Sequence, residues 1–69
     1  MSLMGERIYA KRTEYNLTMK ELADMIGVQA SAINKWEKGH VTNIKRENLE
    51  KMAKVFHCNP GWLMGYEGR

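Results

Sequence analysis

Between positions 29 and 35 the chain gathers Gln29, Ala30, Ser31, Asn34 and Lys35, which carry two amides, a methyl, a hydroxyl and an ammonium. These groups complement the edges of DNA base pairs. Gln or Asn can pair with adenine N6 and N7, Lys with guanine O6 and N7, Ser with either, and the Ala methyl can touch a thymine methyl. Just beyond, Lys35, Lys38, Lys45 and Arg46 face the single acid Glu37, while the remaining charges of this +3 chain balance, seven basic against seven acidic. A basic segment on an otherwise neutral body suits phosphate. Taken alone, either group of residues would read as an ordinary solvated surface. What decides between these readings is the set of elements that positions them.

Other chemistry finds little support. His40 and His57 have no nucleophile or carboxylate at a motif spacing, and no glycine-rich phosphate loop is present, so the chain does not read as an enzyme. Cys58 is the only cysteine; it can form no internal disulfide, and with His57 it is too few ligands for a structural zinc site. It reads as a small buried hydrophobe near a helix end. No metal, cofactor or small-molecule substrate is expected. Sixty-nine residues suffice for one domain that buries about 60% of its unfolded surface. No apolar run approaches the ~18 residues needed to cross a bilayer, and no signal-peptide pattern opens the chain. The expectation is a soluble cytoplasmic protein. Met1, Ser2 and Leu3 read as additions ahead of a native start at Met4, with the domain at 4–66.

The positioning elements are helical. Met19, Leu22, Ala23 and Ile26 fall on one stripe of a helix, and Leu49, Met52, Ala53 and Phe56 repeat the spacing. Thr18 with Glu21 forms a capping box, so a helix begins after Thr18, and Gly27 ends it. A second short helix runs from about Ala30 to Lys38 with Ile33 and Trp36 inward, which leaves Ala30, Ser31, Asn34 and Lys35 outward. Gly39 stops it. Upstream, 5–15 reads as a helix with Ile8 inward; downstream, one runs from about Lys45 to Phe56. Asn59 caps a last short helix opened by Pro60 and closed at Gly65. Trp36 and Leu49 are expected in the core.

Two short helices joined around a glycine, the second polar on its open face, form a helix-turn-helix. The stretch L-T-M-K-E-L-A-D-M-I-G-V-Q-A-S-A-I-N-K-W-E-K-G from Leu17 to Gly39 resembles the Cro and phage-repressor type helix-turn-helix family (XRE-like). The likeness continues through N-L-E-K-M-A-K-V-F from Asn48 and N-P-G-W-L-M-G from Asn59. It implies an all-α fold, a compact five-helix bundle of the lambda-repressor-like DNA-binding type, with the helix-turn-helix at about 18–38. It further implies a repressor of prokaryotic or phage origin acting as a homodimer on a palindromic operator.

By resemblance, Gln29, Ala30, Ser31, Asn34 and Lys35 enter the major groove. Phosphate contacts fall to the start of the motif's first helix, at Met19 and Lys20, and to Lys38, His40, Thr42, Asn43 and Lys45 beyond the second. Arg12 and Glu37 occupy positions that pair across the domain, a structural role. Met19 stands where the family often has a phosphate-holding glutamine, and Gln29 where Ser or Thr often caps the helix. Trp62, Leu63 and Met64 are apolar candidates for a dimer contact. The same fold could serve an antitoxin or a restriction-control regulator, and a protein-interaction bundle is the rival from another class.

Overall fold

A computed structural model describes residues 2–41 and 43–66. Among the described residues the order is α1 (Leu3–Glu14), α2 (Met19–Ile26), α3 (Ala30–Lys38), α4 (Arg46–Phe56) and α5 (Pro60–Leu63), five helices as expected. Helix α1 starts two residues earlier than the periodicity suggested, because the Ser2 hydroxyl accepts the Gly5 N–H at 3.0 Å. Ser2 and Leu3, read from sequence as additions, thus take part in the helix. Helix α4 starts one residue late, at Arg46, with Lys45 as an N-cap that has no side-chain bond.

The stripes meet in one core. Ile8, Leu22, Ile26, Ile33, Met52, Phe56 and Leu63 are completely or almost completely buried, and Met4, Trp36 and Ile44 join them. Leu49, expected in the core, is only half-buried against it. It sits in the first turn of α4, at the margin of the bundle. Leu63 is fully buried, so it serves its own chain and offers no surface for a second copy. Trp62 and Met64 beside it are half-buried.

Helix α1 and the turn after it are tied to the end of α4 and to α5. Arg7 donates to the Trp62 carbonyl at 2.6 Å and its guanidinium lies 4.4 Å from the centre of that indole. The Tyr15 hydroxyl donates to the Phe56 carbonyl at 3.0 Å, which satisfies one of the acceptors that the end of α4 leaves unpaired. At Gly5, α1 passes close to the end of α3. A Cβ there would lie against the Glu37 carbonyl oxygen and 2.7 Å from that of Trp36, so only glycine lets α1 cross the end of α3 this closely.

Candidate nucleic-acid interface

The turn that sets α3 against α2 is built from local chemistry. Thr18 accepts the Glu21 N–H at 3.0 Å while the Glu21 carboxylate accepts the Thr18 N–H at 2.8 Å. At the far end Gly27 takes the left-handed conformation, φ 80°, and both its N–H and that of Val28 bond to the Ala23 carbonyl. Three residues later α3 begins. Its own C-terminus closes in the same way at Gly39, φ 78°, with the His40 N–H on the Lys35 carbonyl.

A buried ion pair then holds the far end of α3. Arg12 donates from Nε and Nη2 to the two carboxylate oxygens of Glu37, at 2.6 and 3.1 Å, and from Nη1 to the Leu17 carbonyl at 2.8 Å. One guanidinium therefore links α1, the turn before α2, and α3. The Glu37 hydrogen bond raises the Arg12 pKa above its usual value, although burial opposes it. Both residues are buried, so the geometry is that of a positioning contact whose attraction is largely offset by desolvation.

On this frame the outward residues divide. Ser31, Lys35 and Lys38 are exposed and, at i, i+4 and i+7, share the stripe opposite the core. Gln29 is exposed at the N-cap, with no side-chain cap bond. Ala30 and Asn34, expected outward with them, are half-buried, and Ala30 packs on the core. The reason lies in Glu37. Three positions rather than two face inward on α3, Ile33, Trp36 and Glu37, and the third rotates the buried stripe toward Ala30 and the flank carrying Asn34.

Asn34 instead lines a mostly apolar cleft of about 250 Å³ with Tyr9, Met19, Glu37 and Lys38. The first residue of α2 and the flank of α3 thus come together, with α1 contributing the third wall. Met19 is half-buried there. Lys20 is exposed and 3.1 Å from Asp24, a solvated pair too weak to hold it. His40, Asn43 and Lys45 are exposed along the loop after α3, and Thr42 lies outside the described residues. Ile44, buried between Asn43 and Lys45, pins that loop to the core; nothing in the sequence set it apart from Val41, which is exposed in the same loop. Tyr9, on the weakly periodic α1, had none.

Two helices packed on each other through a left-handed glycine turn, the second exposing a polar and basic stripe, define a helix-turn-helix domain. The chain belongs to the helix-turn-helix family, of the Cro and phage-repressor type, whose sequence model matches residues 8–63. It is 39% identical to repressor protein C2 of Salmonella phage P22 over 62 residues, 90% of this chain and 28% of that protein. It is 30% identical to the HTH-type transcriptional regulator DicA of Escherichia coli strain K12 over 61 residues, 88% of this chain and 44% of that one. The chain therefore spans less than half the length of either relative. Its fold is similar to that of the P22 c2 repressor solved in complex with a synthetic operator, with a TM-score of 0.86, 35% identity and full coverage of both chains.

Proposed function

We propose that this chain binds duplex DNA sequence-specifically and serves as the operator-binding part of a transcriptional repressor. The observation that carries this is the exposed stripe of Ser31, Lys35 and Lys38 on a helix locked by Arg12 and Glu37, within a backbone like that of an operator-bound repressor. In this reading α3 lies in the major groove, where Gln29, Ser31 and Lys35 read base edges, with Asn34 and Ala30 at the margin of the contact. Met19 and Lys20 at the start of α2, and Lys38, His40, Thr42, Asn43 and Lys45 beyond α3, contact phosphates. The protein works where DNA is, in the cytoplasm, and among the described residues no helix is long and apolar enough to cross a membrane. Its family is one of DNA-binding transcription regulators.

One helix of nine residues reads too few base pairs to select a site among the ~10⁶ or more that a genome offers. Two copies on an inverted repeat, with half-site centres about 34 Å apart, solve this. Trp62 and Met64 are the apolar candidates for the contact between copies. Selection of bound sites from a random duplex pool, followed by affinity measurements over a range of salt, tests the whole reading. An inverted repeat bound with a steep negative salt slope is expected. A single unrepeated motif would remove the dimer, and salt-insensitive binding would remove the DNA interface.

A further inference from the structure

Tyr9 lines the cleft beside α3 but has been given no contact with DNA so far. It is 53% exposed on α1, a helix whose other duties are to the core and to α5. Its ring forms one wall of the cleft that also holds Met19, Asn34 and Lys38, so it shares a side with the start of α2 and the flank of α3. The ring also rests against a fixed group. The Arg12 guanidinium lies 5.4 Å from its centroid, and that guanidinium is fixed by two hydrogen bonds to Glu37. A side chain restrained on one side loses less entropy on binding. Among the described residues its hydroxyl has no hydrogen-bond partner.

We propose that Tyr9 is a further DNA-contacting residue, whose hydroxyl donates to a phosphate oxygen of the strand segment that the start of α2 approaches. This rests on the DNA-binding reading above. With α3 in the groove, a side chain on the α1 flank of the cleft meets the sugar-phosphate backbone, where hydroxyl donors position the protein without reading sequence. The contact is neutral. A lysine on a phosphate displaces a counterion and contributes to the salt slope, whereas a phenol leaves the phosphate charge in place and contributes nothing to it.

That difference gives Tyr9→Phe a signature of its own. Binding to a selected duplex and to a scrambled one should weaken by similar factors, about tenfold, as for loss of a hydrogen bond to a charged acceptor. The slope of log affinity against log salt should stay at the wild-type value. Lys45→Ala, titrated alongside, should lower that slope by about 1 per subunit. In a scan of duplexes each carrying one methylphosphonate, one position should weaken the wild type yet leave Tyr9→Phe unaffected. The exposed hydroxyl can be removed without harm to the fold, and equal thermal midpoints check this. Binding of Tyr9→Phe within twofold of the wild type, a changed salt slope, or no such phosphate position would overturn the proposal while DNA binding by the wild type stands. Failure of the wild type to bind duplex DNA at any salt would overturn the underlying reading as well.

Discussion

Helices α2 and α3 lie side by side and are nearly equal in length, eight and nine residues, but their N-termini are secured by different means. Helix α2 has both halves of a capping box, Thr18 to Glu21 and back. Helix α3 begins at Gln29 with no side-chain bond to its free N–H groups. What α3 lacks locally it receives from the rest of the molecule: Ile33 and Trp36 in the core, the Arg12–Glu37 pair, and the close passage of α1 at Gly5. The scaffold helix is thus fixed by its own sequence, while the reading helix is placed by its neighbours. An N-terminus without a side-chain cap, where only the Ala32 N–H is taken up by the Gln29 carbonyl, keeps the Gln29 side chain and the first N–H groups available to a ligand.

If that contrast holds, the largest effects should follow from cutting the tertiary supports of α3. Arg12→Ala leaves the Glu37 carboxylate buried and unpaired, a loss of about 3 to 5 kcal/mol, comparable to much of the stability of a domain this size. Calorimetry should find the variant largely unfolded, and replacing both partners by leucine should recover most of the midpoint. Melting of Arg12→Ala within a few degrees of the wild type would mean that α3 does not depend on the pair. Gly5→Ala comes next. Alanine favours helix by up to about 1 kcal/mol, but its methyl meets backbone carbonyls of α3 that cannot rotate away, and overpacking costs about 1 to 3 kcal/mol. A net fall in thermal midpoint is expected, and a rise would show that α1 shifts freely over α3.

These two residues also mark the limit of what was legible in sequence. The whole of α2 could be read because its signals are local: Thr18, Glu21 and Gly27 act within a turn of where they stand, and Leu22, Ala23 and Ile26 repeat at helical spacing. The pairing of Arg12 with Glu37 came only by resemblance, since no local rule joins residues 25 apart. The consequence of that pairing, a buried stripe rotated toward Ala30, was missed because the inward face of α3 was read from Ile33 and Trp36 alone. Gly5 carried no sign of its role, as glycine in a first helical turn is equally consistent with simple tolerance. Tyr9 was silent for the same kind of reason, its neighbours in the cleft belonging to two other helices.

The local support of α2 should be worth less than the tertiary support of α3. Thr18→Ala removes the hydroxyl that accepts the Glu21 N–H and loosens the returning carboxylate, at a cost of about 1 kcal/mol. For a domain of this size that lowers the midpoint by about 4 to 8 °C. The variant should remain folded and should bind DNA once cooled well below its transition. A loss as large as that of Arg12→Ala would erase the distinction between a helix fixed by its own caps and one fixed by its neighbours.

Gln29→Ser gives the smallest effect and the sharpest test, because its two consequences run in opposite directions. Serine is a strong N-cap and can accept the N–H of the second or third residue of α3, which glutamine at this position does not do. Stability should rise by about 0.5 to 1 kcal/mol. If Gln29 has been left uncapped because its amide is turned to an adenine edge, the same substitution should cost about 1 to 3 kcal/mol of discrimination at one position of each half-site. Binding to unrelated duplex should scarcely change, since no charge is altered and phosphate contacts dominate there. The two measurements are a thermal midpoint and a comparison of affinities for the selected site and for its single-base variants. A more stable protein with unchanged base preference would mean that Gln29 is simply a poor cap. A more stable protein that has lost preference at one base pair would mean that the reading helix gives up local stability at the end where it meets DNA.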